Sequence, residues 1–182
     1  MPAINILAIS GSLRPNSSNN AVIHAAAALV HGEVNFVIYE GLGNLPHFND
    51  SKDPPAEVLE LRNMLGSADG VLISSPEYAF GVPGVLKNAL DWTVSSGEFV
   101  NKPVALITAA TGGNNAHASL LLTFTALSAQ LPPGHQLLIS FVRAKLNESG
   151  EVKDPATVQA IKSVMDALIT TIKSNRENDE VA

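Results

Sequence analysis

The sequence predicts an α/β fold built on a five-stranded parallel sheet with helices on both faces. Three observations carry that expectation. Short, β-rich apolar segments alternate five times with helical ones, and such repetition makes a parallel sheet joined by right-handed crossovers. The first of these segments, Ile4–Ser10, suits a strand buried on both faces, the kind found in parallel sheets. Finally, 182 residues at 46% hydrophobic and 15% charged supply the apolar surface for one well-buried domain.

The elements follow in order. Ile4–Ser10 is the first strand and runs into the polar stretch Gly11–Asn20. The Ala-rich segment Ala21–Val30 is expected to be helical, Val34–Glu40 is the second strand, and residues 41–55 form a Gly/Pro/Asn loop. Ala56–Ser67 spaces Val58, Leu61 and Leu65 along one helix face. Gly70–Ser75 is the third strand, followed by the loop Pro76–Gly81 and a helix over Val82–Ser96. Val104–Ala109 is the fourth strand, with the loop Ala110–Asn115 and a helix to Leu131 behind it. His135–Phe141 is the fifth strand and Ala156–Lys173 the last helix. No linker or repeat interrupts the pattern, so residues 1–174 read as a single domain and 175–182 as a polar, flexible tail.

Composition removes several function classes. Eleven Lys+Arg against seventeen Asp+Glu give a net charge of -6, the wrong sign for a nucleic-acid partner. The absence of cysteine excludes disulfides, thiolate nucleophiles and iron–sulfur clusters. His24, His31, His47, His117 and His135 show no metal-ligand spacing, so no metal site is expected. No apolar run nears the roughly 18–20 residues needed to cross a bilayer. The first residues lack the basic region of a signal peptide. The expectation is a cytoplasmic protein with no membrane partner.

In an open parallel sheet, ligands bind beyond the carboxyl ends of the strands, which directs attention to the loops after strands one, three and four. The first, Ser10–Asn19, holds Ser12, Arg14, Ser17, Ser18 and Asn19 just before a helix. A helix N-terminus with a nearby guanidinium suits a phosphate, and equally a Ser/Asn-rich stretch can serve only to cap the helix. The second, Pro76-Glu77-Tyr78-Ala79-Phe80-Gly81, carries two aromatics that either wall a flat-ring site or pack a neighbouring loop or subunit. The third contains Thr111-Gly112-Gly113, where backbone can approach a ligand closely or simply turn. Walker A is absent, and the nearest approach to G-x-G-x-x-G, Gly41–Pro46, has Pro46 in the third glycine's place. A phosphate cradle, an aromatic wall and a glycine shelf at one edge are the parts that FMN requires.

The residues carry a family resemblance as well. Gly11-Ser12-Leu13-Arg14 with Ser17 and Asn19, then Pro76-Glu77-Tyr78, then Pro83–Trp92 resemble the NADPH-dependent FMN reductases, a family that includes soluble quinone, chromate and azo-dye reductases. The likeness covers residues 1–113, and Leu45–Asn49 resembles the family's loop after strand two. It implies a flavodoxin-like three-layer sandwich with strand order 2-1-3-4-5. By the same likeness Ser12, Arg14, Ser17, Ser18 and Asn19 would hold the FMN phosphate. Pro76, Glu77, Tyr78, Ala79 and Phe80 would line the isoalloxazine, and Thr111, Gly112 and Gly113 would face its pyrimidine end. Members commonly carry Asn at the position of Ala79, so a side-chain amide contact is absent here.

The resemblance further implies NADPH or NADH as co-substrate, small-molecule electron acceptors, and a homodimer or homotetramer with the helix after Tyr78 near a subunit contact. Chemistry at flavin N5 by a ping-pong cycle needs no catalytic side chain. The alternatives are a flavodoxin-type electron carrier without direct NAD(P)H reduction, and an interaction module that binds no flavin.

Overall fold

The computed structural model describes residues 3–32 and 34–181. Its strands are β1 (Ile4–Ser10), β2 (Val34–Tyr39), β3 (Gly70–Ser75), β4 (Val104–Ala109) and β5 (Gln136–Ile139). The helices are α1 (Ser18–Leu29), α2 (Ala56–Ser67), α3 (Gly84–Asp91), α4 (Asn114–Ala126) and α5 (Pro155–Val181). All neighbouring strands pair in parallel, in the order β2-β1-β3-β4-β5. This is the flavodoxin-like arrangement that the resemblance implies.

The central strands β3 and β4 are buried at every residue, which explains their apolar stretches Val71–Ile73 and Val104–Ile107. Their alternate side chains feed two cores. Val71, Ile73, Val104 and Leu106 join Leu61 of α2, Leu86 and Leu90 of α3, and Leu120 and Phe124 of α4. Leu72, Ala105 and Ile107 join Val22 and Ile23 of α1 with Ile161, Met165 and Leu168 of α5. Gly70 lets α5 approach β3: a methyl there would sit 2.6 Å from Ile172 Cδ1.

Several boundaries differ from the expected ones, each for a local or tertiary reason. Helix α1 starts three residues early, because Ser17 Oγ accepts the Asn20 backbone N–H at 3.1 Å and caps it. Helix α3 stops at Asp91; Thr93 Oγ1 donates to the Leu90 carbonyl at 2.7 Å, and tight turns follow to Val100. Helix α4 ends at Ala126, where Ser128 takes a left-handed φ of 56° and Ala129 N–H closes back on Phe124 O. Strand β5 ends at Ile139, and Phe141 turns the chain with a φ of 52°. Helix α5 does not give way to a tail at 175. It runs on to Val181, and Arg176 pairs with Asp69 at 2.7 Å and donates to the Ala3 carbonyl at 2.9 Å. Among the described residues no helix is long and apolar enough to cross a membrane.

Candidate functional site

The carboxyl ends of β1, β3 and β4 converge, and the three loops read from the sequence meet there. Gly11 N–H donates to Ser74 O at 2.7 Å, extending the β1–β3 ladder into the first loop. A pocket of about 340 Å³ opens beyond it. Its walls are Ser12, Arg14, Asn16, Ser17, Ser18 and Asn19 from the first loop, then Pro76, Glu77 and Tyr78 from the second. Ala109, Ala110 and Thr111 close it after β4, and Val142, Arg143 and Leu146 after β5. Size does not single it out, since a groove of about 540 Å³ lies beside α1. Its chemistry does: hydroxyls, a helix N-terminus and two guanidinium groups face one space.

In the first loop the two readings of the serines are compatible. Ser17 caps α1, and that cap holds the helix N-terminus open on the pocket. Asn19 is used differently from the expectation. Its side chain is buried, donating from Nδ2 to Ala109 O at 3.1 Å and accepting from Ser74 Oγ at 2.9 Å. It therefore stitches α1 to β3 and β4, and offers an anion its backbone N–H. Ser12 Oγ lies 3.4 Å from the Tyr78 hydroxyl, linking the first loop to the second.

The second loop is a two-residue hairpin. Tyr78 and Gly81 exchange backbone hydrogen bonds of 3.0 and 2.9 Å around Ala79 (φ 48°) and Phe80 (φ 58°). Two consecutive left-handed residues define a type I′ turn, which favours Asn and Gly; here Ala and Phe occupy it under strain. Phe80 is 81% exposed, and Tyr78 is also exposed. Ala79 and Phe80 form the turn's tip outside the pocket wall.

Glu77 borders the pocket but turns its carboxylate toward α4. Oε2 accepts from Ala116 N–H at 2.9 Å and Oε1 from Gly113 N–H at 3.2 Å. Helix α4 has no capping side chain of its own, since its N-cap is Gly113, so Glu77 caps it from 39 residues away. The backbone N–H of Ala116 foremost, with those of Gly113 and Asn115, holds this carboxyl below its ordinary pKa against the opposing cost of burial. Gly113 itself needs its lack of a side chain, with a φ of 102° and a methyl there only 2.7 Å from Leu138 Cδ1. Thr111 lies on the pocket, while Gly112 and Gly113 are not part of its wall and the N–H of Gly113 is committed to Glu77.

The motif Pro83–Trp92 supports the site from behind. Asn88 Nδ2 and Trp92 Nε1 both donate to Pro46 O, at 3.0 and 2.9 Å, and Phe48 meets Trp92 edge-on at 5.2 Å. Trp92, Leu86 and Leu90 are core, and Lys87 pairs with Asp91 on the surface. Arg143 is the charged site residue that sequence reading missed, together with the apolar Ala109, Ala110, Val142 and Leu146 around it. The signal was available, because strand order sets the loop after β5 at the same edge, and that loop carries an arginine.

The donors suit a mononucleotide. A capped helix N-terminus and two guanidinium groups without partners among the described residues fit a phosphate, and the Tyr78 ring beside them fits a flat heterocycle. Comparison with known proteins agrees. The NADPH-dependent FMN reductase family matches residues 4–144. An NAD(P)H-dependent FMN reductase of Pseudomonas aeruginosa is 31% identical over 174 residues, 91% of this chain and 93% of that protein. A 2-hydroxy-1,4-benzoquinone reductase of a Burkholderia species is 29% identical over 182 residues, 96% and 99% of the two chains. The solved structure of the flavoenzyme NAD(P)H:(acceptor) oxidoreductase of Paracoccus denitrificans superposes with a TM-score of 0.76 at 26% identity, covering 94% and 98%. The chain belongs to the NADPH-dependent FMN reductase family, an oxidoreductase with FMN as cofactor and NAD(P)H as co-substrate.

Proposed function

We propose that the chain passes reducing equivalents from NADPH or NADH to small-molecule acceptors in a ping-pong cycle at one site. The acceptors in view are quinones, azo compounds, oxidised metal ions and free flavin. The observation that carries the reading is the meeting of the three loops at one sheet edge, with an anion cradle next to an exposed aromatic turn. When bound, FMN supplies the redox chemistry, accepting a hydride and releasing electrons. The chain's own residues bind and orient. Ser12, Arg14, Ser17, Ser18 and the Asn19 backbone hold the phosphate. Pro76, Tyr78, Ala79 and Phe80 border the ring, and Thr111, Gly112 and Gly113 face its pyrimidine end. Glu77 keeps the second and third loops at a set distance. No side chain needs to move a proton, so none is assigned a catalytic role.

The open aromatic turn supports stacking recognition, which tolerates many flat acceptors. A homodimer or homotetramer is part of the same proposal. It is supported by Val94, Val100 and Leu122, exposed apolar side chains after α3 and on α4, and by the absence of any charged residue from Asn114 to Leu131. Dependence on NAD(P)H supports a cytoplasmic setting. The test is initial-rate kinetics with NADPH varied at several fixed benzoquinone concentrations. Parallel double-reciprocal lines are expected; intersecting lines contradict the alternating cycle, and no NADPH consumption contradicts the reductase.

A further inference from the structure

The chain has four arginines, and the fold treats them in two ways. Arg62 donates from Nε and Nη2 to the Trp92 carbonyl at 3.1 and 2.6 Å and lies 3.8 Å from Glu98. Arg176 is tied to Asp69 and the Ala3 carbonyl. The other two, Arg14 and Arg143, make no side-chain hydrogen bond or ion pair among the described residues, and both line the 340 Å³ pocket. In a chain of net charge -6, two guanidinium groups without a partner among the described residues and lining one cavity give that cavity a positive character that suits an anion.

Arg143 is delivered there by a tied-down turn. The left-handed Phe141 reverses the chain, and the N–H groups of Phe141 and Val142 donate to Thr111 O and Ala110 O, both at 3.1 Å. Val142 is buried against the α1/α5 core, and a 3-10 turn over Val142–Lys145 presents Arg143 to the cavity. Beyond it, Lys145 pairs with Asp154 and its carbonyl accepts from Lys153 N–H at 2.8 Å. The backbone of Arg143 is thus fixed to the third loop of the site.

Charge bookkeeping points the same way. A phosphate monoester carries about -1.5 to -2 at neutral pH. The α1 N-terminus contributes about +0.5 and Arg14 one full charge, which leaves up to about half a charge of the phosphate unmatched.

We propose that Arg143 is a second cation for the FMN phosphate, closing the cradle from the β5 side opposite Arg14. The proposal rests on the FMN reading of the pocket and deepens it. Arg143 then makes the site select a phosphorylated flavin over riboflavin, which has the same ring and no anion.

The test is fluorescence titration of the full chain with FMN and, separately, with riboflavin, comparing wild type with Arg143→Ala. The Arg143 side chain is exposed and unbonded, so the variant keeps its fold, and riboflavin binding serves as the internal check. The expected result is about a tenfold or greater loss of FMN affinity, the size of one charge-assisted hydrogen bond, with riboflavin affinity unchanged. FMN affinity within about twofold of wild type would overturn the assignment. So would an equal loss for both flavins, which would mark a structural role. A wild-type chain that binds riboflavin as tightly as FMN would overturn the phosphate cradle itself, and one that binds neither would overturn the FMN reading beneath it.

Discussion

Replacing Glu77 with Ala removes the side chain that caps α4 and ties the second loop to the third. Two acceptor bonds, at 2.9 and 3.2 Å, are lost from a helix whose N-cap is a glycine. Loss of a capping side chain costs about 0.5–2 kcal/mol. The carboxylate is partly exposed, so solvent screening puts the expected loss near the middle of that range, about 1 kcal/mol. For a domain of this size that lowers the melting temperature by about 2–4 °C. Glu77→Gln retains one acceptor oxygen and should lose about half as much.

The pH dependence has a definite sign. The folded pKa lies below the ordinary value of 4.5, so the carboxylate's contribution is fully present above that value and is lost as pH falls through the folded pKa. The gap between wild type and Glu77→Ala should therefore narrow in acid. Thermal melts from pH 7 down to pH 3 provide the assay. Equal stability of the two proteins at pH 7, or a gap that persists unchanged at pH 3, would refute the capping account.

Other expectations follow from the same geometry. Arg14→Ala should weaken FMN about tenfold or more and leave the fold intact; titration with FMN checks it, and unchanged affinity would count against the anion cradle. Ala79→Asn should stabilise the protein by a few tenths to about 1 kcal/mol, because Asn adopts the left-handed backbone of this turn more readily than Ala; urea denaturation reads the shift. Gly113→Ala should destabilise by about 1–3 kcal/mol through its φ of 102° and the 2.7 Å approach to Leu138; denaturation with and without FMN measures it. Asn19→Ala should cost about 1–3 kcal/mol by stranding the buried Ser74 hydroxyl and Ala109 carbonyl, again read by denaturant melts.

What the sequence makes legible is what local chemistry decides. The bounds of β1, β3, β4 and α2 coincide with those read from the sequence, because strands buried on both faces are predominantly apolar and α2 shows one apolar face. Helix ends are less legible, since they are set by contacts made elsewhere. Arg176 carries α5 past Lys173 by meeting Asp69, 107 residues away. Within the site, the serines, Arg14 and the aromatic turn announce themselves by residue type and their place after strands. Asn19 and Glu77 carry the right chemistry, but their partners lie 90 and 39 residues distant, and only the folded sheet shows that both hold the site together. Arg143 required the strand order, which brings β5 beside β4 and its following turn to the same edge.

The central claim is that this edge holds FMN where NAD(P)H can reduce it directly. The most direct test is anaerobic titration of the FMN-loaded protein with NADPH, followed by the flavin's visible absorbance. The account predicts rapid bleaching that benzoquinone reverses. Flavin that stays bound and yellow would contradict it and leave an electron carrier in its place.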